Sequence, residues 1–296
     1  MADLHLVQRP ISALPILAKI PIPGSPDWVG IGNGAVWISN IDKNNISRID
    51  PTKNKVVANI TVGKAPCSGL GIGFGSIWVP CCGSARVDRV DATTNHVVAS
   101  IATTIADSEG AIGVGDSGVW MPADQQGTVI HIDPATNEII GTVDTVPGSV
   151  AAAVGAGAVW VTSTEQSALC RIDPKSHKVT AKIPVGPKPR FLAIGEGAVW
   201  ALNQGDGSVS GVDPKTNQVV ATIQAGIPGK GGDISVGEGF VWVTAQNVPL
   251  TKIDPATNKV VVQFVGRGGD AVRVGGGAIW LCSFFLEEAW HVSLDF

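Results

Sequence analysis

The chain has 296 residues, of which 44% are hydrophobic and 16% charged, and it contains 37 glycines and 19 prolines. This composition is typical of short buried strands joined by tight turns, and it excludes a protein built from long amphipathic helices. The formal net charge of -4 excludes a basic surface for nucleic acid, and no run of about eighteen apolar residues is present to span a membrane.

The N-terminal residues show no targeting segment. Met1 to His5 lack the basic and apolar regions of a secretory signal, so we expect no signal peptide in this chain. Residues 1–13 are predicted to form a leader, and residues 14–296 a single domain. The first strand of that domain is expected between Leu14 and Ile22, which match the outer-strand pattern of later segments.

Tryptophan marks an internal repeat. It recurs at intervals of 41, 42, 40, 40, 42 and 38 residues, always after a glycine-containing hairpin phrase. An Asp lies 12 or 13 residues after each of the first six, and it usually opens the turn phrase Asp-Pro-x-Thr-Asn, as in Asp50 to Asn54. Because all seven have the same place in the repeat, we expect them to pack between repeats: Trp37, Trp78, Trp120, Trp160, Trp200, Trp242 and Trp280.

Each repeat is predicted to form four antiparallel strands. In the fifth repeat these are an inner strand at Phe191 to Ile194, the strand with Trp200, a third strand at Ser208 to Val212 and an outer strand at Gln218 to Ile223. A sheet with two apolar faces must stack on others, so seven of them predict an all-β, seven-bladed β-propeller. The last repeat ends after its third strand, so the N-terminal strand is predicted to complete that blade and close the ring.

The repeat phrases resemble a known family. Gly-x-Gly-Ala-Val-Trp-Val at 155–161 and Ile-Asp-Pro-Ala-Thr-Asn-Lys-Val-Val at 253–261 are similar to YVTN-type propeller repeats and, more distantly, to those of the virginiamycin B lyase group. The resemblance covers Leu14 to the C-terminus. It implies a propeller and, through the lyase group, a lyase or hydrolase with a His and acidic metal ligands at its mouth. The phrases form the turns and core of every blade, so they specify function poorly.

Charged residues occur where several inner strands begin. Because inner strands crowd the axis, these side chains should converge at the mouth of the channel. Four carboxylates facing one arginine would hold a divalent metal ion through oxygen ligands or form salt bridges with a polar ligand, whereas the alternative is a solvated, self-compensating rim. The arginine is Arg190, and the carboxylates, which are also the candidate metal ligands, are Asp27, Glu109, Asp233 and Asp270.

Aromatic residues outside the repeat period are further ligand-binding candidates. Trp28 and Phe191 directly follow Asp27 and Arg190. The irregular segment from Ser283 to Trp290 replaces a short polar loop with an apolar one that contains Phe284 and Phe285. An exposed apolar segment often marks a ligand or partner site, although packing over the leader is an equal alternative.

Histidine offers one catalytic candidate. The inner-strand approach loops contain no His, so only His291, with Glu287 or Glu288, would stand in for the catalytic group that the lyase resemblance implies. We expect His291 at the start of the third strand of blade seven, near the mouth and beside Trp290.

Three cysteines should lie close together in blade two. Cys67 precedes its inner strand, and Cys81 and Cys82 end its second strand. A disulfide from Cys67 to Cys81 or Cys82 is the simplest outcome, with free packed thiols or a soft-metal site as alternatives. The cysteines do not define the compartment, although a secreted or periplasmic location is slightly favoured.

Two functional hypotheses follow. The first is a binding module, expected as a monomer, that holds a small polar molecule, a metal ion or a peptide segment of a partner at its mouth. The second is a metal-assisted lyase or hydrolase that acts on a small molecule at the same mouth. We prefer the binding module. A divalent metal ion is the only cofactor that the candidate residues suggest.

Overall fold

The fold is a ring of seven small antiparallel sheets, seen in a computed structural model that describes residues 4–227, 229 and 231–296. Four strands of each sheet run from the axis outwards in the expected order, with the inner strand first. The predicted seven-bladed β-propeller is therefore confirmed.

The strands follow the repeats closely. The N-terminal segment forms β1 (Gln8–Pro10) and β2 (Ile16–Pro21). Blade one contains β3 (Pro26–Gly32), β4 (Ala35–Asn40), β5 (Asn45–Asp50) and β6 (Lys55–Thr61). Blade two contains β7 (Gly71–Gly73), β8 (Ser76–Cys81), β9 (Arg86–Asp91) and β10 (His96–Ala102). Blade three contains β11 (Gly113–Gly115), β12 (Gly118–Pro122), β13 (Thr128–Asp133) and β14 (Glu138–Asp144).

The second half of the ring has the same layout. Blade four contains β15 (Ser149–Gly155), β16 (Ala158–Ser163), β17 (Ala168–Asp173) and β18 (Lys178–Pro184). Blade five contains β19 (Pro189–Gly195), β20 (Ala198–Asn203), β21 (Ser208–Asp213) and β22 (Gln218–Gln224). Blade six contains β23 (Asp233–Gly237), β24 (Phe240–Ala245), β25 (Val248–Asp254) and β26 (Lys259–Val265). Blade seven contains β27 (Val272–Gly275), β28 (Ala278–Ser283) and β29 (Glu288–Val292). The helical segments are short 3-10 turns at Leu4–Leu6, Ile11–Ala13, Cys82–Ser84 and Phe284–Leu286.

The N-terminal strand closes the ring. β2 pairs antiparallel with β29, with Ile20 opposite Ala289, and thereby supplies the fourth strand of blade seven. The backbone N–H of Ile22 then donates to the carbonyl of Glu287 at 2.7 Å. The predicted closure is confirmed, and it leaves no unpaired third strand in the last blade.

The leader also joins a sheet, which the sequence analysis did not foresee. β1 lies parallel to β26 and adds a fifth strand to blade six. The Nε2 of Gln8 donates to Oε1 of Gln263 at 2.8 Å, and Leu14 is buried in the core of blades six and seven. The N-terminal segment thus connects the last two blades rather than clasping one alone.

The periodic tryptophans pack between blades, as predicted. All seven are buried. Six of them donate their indole N–H to a backbone carbonyl three or five residues earlier, at 2.9–3.3 Å, as Trp37 does to Gly32. A buried aromatic ring with its polar atom satisfied is a packing element.

A latch between neighbouring blades covers several of these rings. The guanidinium of Arg48 lies over Trp37, 5.3 Å from the ring centroid, and donates to Oδ1 of Asn95 at 2.9 Å, in the next blade's outer turn. The same arrangement recurs at Arg89 and Arg171. We call this contact the Arg–Asn latch, and it lies on the face opposite the mouth because it uses the turn between third and outer strands.

The latch between blades three and four consists of two imidazoles. His131 stacks on Trp120 with centroids 3.9 Å apart, and its Nδ1 is 2.9 Å from Nε2 of His177. Gly141 gives His177 its space, because a Cβ at that position would come within 2.3 Å of the ring. This junction therefore differs from the Arg–Asn latch at three contacting residues, His131, His177 and Gly141.

Among the described residues, no helix has the length and apolar character needed to cross a membrane.

Candidate functional site

The mouth of the propeller contains a cavity of about 790 Å³. It forms where inner strands begin and where second strands lead into third strands. Its wall combines acidic, basic and aromatic side chains, among them Asp27, Asp107, Glu109, Arg190, Asp270 and Phe285.

Register brings the acids together. Asp27 is the second residue of β3, whereas Glu109 and Asp270 lie in the loops just before β11 and β27. These three side chains come from blades one, three and seven and line the same cavity. Each blade thus contributes its carboxyl from the same place in the repeat, close to the axis.

Asp27 is the most confined of these acids. Asp27 is 5% exposed, and its Oδ2 has no hydrogen-bond partner among the described residues. Burial raises the pKa of Asp27 well above its usual value, and the nearby carboxyls of Glu109 and Asp270 raise it further. A buried acceptor without a donor is costly, so this atom is prepared for a proton or for a donor from a ligand.

Glu109 and Asp270 have similar shifts for the same reason. Burial raises the pKa of Glu109 to about 7, with a further contribution from Asp270. Burial also raises the pKa of Asp270 to about 6, although this carboxyl accepts a hydrogen bond from the backbone N–H of Gly232 at 3.1 Å. The mouth therefore holds carboxyls that raise one another's pKa values and so resist simultaneous ionisation.

Asp233 belongs to a deeper layer. It is 2% exposed and forms an ion pair with Arg273, and it also accepts from the backbone N–H groups of Ile234 at 2.8 Å and Val272 at 3.2 Å. Among the described residues it does not line the mouth cavity. Asp233 is therefore a saturated structural acid, and its partner Arg273 was missed because nothing in the repeat pattern pairs the two blades at this position.

Arg190 also has a partner that sequence analysis missed. Its guanidinium is 2.9 Å from a carboxyl oxygen of Asp107, and its Nε donates to Gln204 at 3.1 Å. A weaker contact at 3.4 Å reaches the backbone carbonyl of Glu109. Asp107 lies in the irregular loop before β11, two residues from Glu109, where counting from the periodic tryptophan does not single it out.

Trp28 and Phe191 meet in the interior, each directly after a residue of the cavity wall. Their ring centroids are 5.4 Å apart although they belong to blades one and five, so the contact must cross the axis. Both side chains are buried, and the indole N–H of Trp28 donates to the carbonyl of Cys67 at 3.1 Å. Between the inner strands the channel contains a separate cavity of about 340 Å³ with mainly glycine and aliphatic walls.

The blade-seven loop forms part of the rim. Phe284 and Phe285 lie edge to face with centroids 5.3 Å apart, and both line the cavity. Phe285 is 66% exposed. Nη2 of Arg267 donates to its backbone carbonyl at 3.4 Å. An exposed aromatic pair beside buried acids makes this side of the mouth amphipathic.

His291 does not lie near the mouth, so its predicted placement is wrong. Its Nδ1 is 2.7 Å from Oδ1 of Asn54, and its ring stacks on Trp280. Asn54 belongs to the turn between β5 and β6, on the opposite face. β29 starts at the mouth with Glu288, and three further residues at about 3.3 Å each carry the chain away from it.

The remaining blade-seven candidates are engaged in closure and packing. A carboxyl oxygen of Glu287 accepts from the backbone N–H of Gly24 at 3.0 Å. Glu288 accepts from the indole N–H of Trp290 at 2.7 Å and lies 4.0 Å from Nζ of Lys19. Trp290 is buried in the core of blades six and seven. The structure therefore does not assemble His291, Glu287 and Glu288 into one group.

The mouth does not present a preformed metal site. Across residues 4–227, 229 and 231–296, no three His, Cys, Asp or Glu side chains stand close enough together to hold a metal ion. Asp233 is already paired with Arg273, and the other three candidate carboxyls line the cavity from blades one, three and seven. The proposed four-carboxylate ligand set does not fit this arrangement.

The cysteines of blade two form one disulfide. Cys67 bonds to Cys82, with Cα atoms 5.9 Å apart, while Cys81 is a buried free thiol. Burial raises the pKa of the Cys81 thiol to about 12, and the nearby carboxylate of Asp88 contributes a smaller increase. Of the two pairings left open, the structure has Cys67–Cys82, and a soft-metal site among the three has no support.

Comparisons with known proteins agree with the fold. No family model and no curated protein matches the sequence. The structure is similar to one described as a streptogramin B lyase, with a TM-score of 0.80 and 16% identity over 94% of this chain and 97% of that chain. It is also similar to hydrazine synthase from Kuenenia stuttgartiensis, with a TM-score of 0.77 and 13% identity over 100% and 99% of the two chains. At such identities the similarity shows the propeller fold alone.

Proposed function

We propose that this propeller is a binding module that holds a small polar ligand in the cavity at its mouth. The observation that carries the proposal is the buried Oδ2 of Asp27, which has no hydrogen-bond partner among the described residues and belongs to a residue that lines a cavity of about 790 Å³ together with further carboxyls. A cavity of this size suits a small organic molecule. We also propose, from the repeat phrases alone, a relationship to YVTN-type propellers.

The cost of the arrangement supports a functional role. Blades two and four have Ser68 and Val150 near the position where blade one has Asp27, so the fold does not require acids there. Burial and nearby carboxyls raise the pKa values of Asp27, Glu109 and Asp270, so the free protein is less stable at neutral pH than it would be with an uncharged mouth. A ligand that compensates these charges would recover that stability.

A metal-assisted lyase or hydrolase receives less support. The His291 group that would carry such chemistry is divided between the two faces, and the carboxyls do not form a metal-ligand set among the described residues. The streptogramin B lyase that shares this fold has 16% identity with the chain, too little for residue roles to be transferred.

A binding survey would test the proposal. We would measure melting temperature and calorimetric binding with a panel of amines, alcohols, carboxylates and sugars, using the wild-type protein and the Asp27→Asn variant. Asp254→Asn, which makes the same chemical change in a turn on the opposite face, is the matched control.

We expect at least one compound class to raise the melting temperature, with binding weakened by Asp27→Asn and unchanged by Asp254→Asn. A panel in which no compound binds, or in which both variants behave alike, would overturn the assignment of the mouth.

A further inference from the structure

The charges that line the mouth do not balance. Asp27, Glu109 and Asp270 form no salt bridge with any described residue, whereas Arg190 is paired with Asp107 at 2.9 Å. The other cation among the described lining residues, Arg267, directs one guanidinium nitrogen to the backbone carbonyl of Phe285. Ionisation of the three unpaired carboxyls therefore leaves the cavity with negative charge that the described wall residues do not neutralise.

This imbalance selects the sign of a ligand. A protonated amine brings a positive charge and several N–H donors, and Oδ2 of Asp27 is a buried acceptor without a donor among the described residues. An anionic ligand would meet three unpaired acids, and Arg190 is already engaged by Asp107. Charge complementarity thus favours a cation over an anion at this cavity.

The size and aromatic rim select the type of cation. A bare metal ion would need several oxygen ligands at about 2.0–2.6 Å, and no three acidic side chains among residues 4–227, 229 and 231–296 meet that requirement. The cavity is instead large enough for an organic molecule, and Phe284 and Phe285 offer apolar surface next to the acids. Aromatic faces also attract organic cations directly.

Resting on the proposed function, we infer that the ligand is an amphipathic organic cation: a protonated amine whose charged end lies among Asp27, Glu109 and Asp270 and whose apolar body lies against Phe284 and Phe285. No covalent step is part of this inference.

Three aromatic probes of similar size test the charge requirement. Phenethylamine, phenethyl alcohol and phenylacetate differ mainly in their polar end, so calorimetric titration at pH 8 isolates its effect. We expect the amine to bind at least about tenfold more tightly than the alcohol, and the carboxylate to bind most weakly. Asp27→Asn should remove most of the amine's advantage, while the control Asp254→Asn should retain it.

The pH dependence gives a readout that simple packing would not move. Since the pKa of Glu109 is about 7 and that of Asp270 about 6, amine binding should strengthen from pH 5 to pH 8 as both carboxyls ionise. Between these values binding should release protons, because a bound cation lowers both pKa values. Titrations in buffers of different ionisation enthalpy measure that release.

The rim has its own test. Phe285→Ser should weaken phenethylamine and leave the weaker binding of methylamine unchanged, since methylamine has almost no apolar body. Phe285 is exposed, so this variant should fold.

The outcomes separate the two proposals. If the alcohol, the carboxylate or a sugar bound most tightly, and Asp27→Asn weakened that binding, the inference of a cationic ligand would be wrong. The proposed binding module would still be supported. Binding of Mg²⁺ or Ca²⁺ alone, lost in Asp27→Asn, would overturn the organic ligand. Absence of binding by every compound would overturn both.

Discussion

Carboxyl groups on the two faces of this propeller behave in opposite ways. Asp254, in an outer turn, accepts from the Thr257 hydroxyl at 2.7 Å and from the backbone N–H of Ala256 at 2.8 Å, and these bonds lower its pKa. Asp27, at the mouth, is buried beside other carboxyls and has its pKa raised. One residue type is thus stabilised as an anion on one face and destabilised on the other.

This difference separates the acids that belong to the repeated scaffold from the acids that belong to an individual site. Turn acids with lowered pKa values recur in five blades, at Asp50, Asp91, Asp173, Asp213 and Asp254. Such acids build the same turn each time, so they are part of the scaffold. The mouth acids have different surroundings in each blade, which is typical of a site placed on a scaffold.

The largest effect should come from the scaffold. Trp160→Ala should lower the free energy of unfolding by about 3–5 kcal/mol, because it removes a fully buried ring that supports Arg171 in the latch to blade five. Blade four contributes none of the acids at the mouth, so amine binding by the folded fraction should not change. Urea denaturation and calorimetry check the two parts. A loss of binding without a loss of stability would contradict the assignment of Trp160 to the scaffold and of ligand binding to the mouth.

Replacing an acid at the mouth should raise the free energy of unfolding instead of lowering it. The folded pKa values of the mouth acids lie above the unfolded values of about 4, so the folded state holds more protons and stability falls as pH rises from about 4 to 7. Asp270→Asn should remove part of that loss and raise the free energy of unfolding at pH 8 by about 1–2 kcal/mol. At pH 4 it should have little effect. Urea denaturation across this range measures both, and lower stability of the variant at pH 8 would contradict a ligand-directed role.

The smallest effect concerns the imidazole latch. Burial lowers the pKa of His131, so the folded state resists protonation and stability is lost as pH falls through the unfolded value of about 6.5. Converting this junction to an Arg–Asn latch with His131→Arg, His177→Asn and Gly141→Ala should add about 0.5–1 kcal/mol at pH 5 and less at pH 8. Melting temperatures at the two pH values test this. Equal shifts at both would show that protonation is not involved.

Much of the site could be placed from sequence, because the position of a residue within its repeat determines its distance from the axis and the face on which it lies. Counting from the periodic tryptophans led to Asp27, Glu109 and Asp270, which line one cavity. The same counting could not recognise Asp107 or Arg273, since their partners come from other blades. It also misplaced His291, because the position of the turn before β29 decides how far along the strand that residue lies.

The sequence by itself determined the number of blades, the strand order within each blade and the closure by the N-terminal strand. These features depend on hydrophobic alternation and turn chemistry within about 40 residues, which are local and repeated seven times. Only the tertiary structure decided that Cys67 pairs with Cys82, that β1 extends blade six, and that Trp28 meets Phe191 across the axis. Those contacts join residues that lie 15 to 255 positions apart in the sequence, and in one case two cysteines compete for the same partner. The closed ring determines which of the possible contacts form.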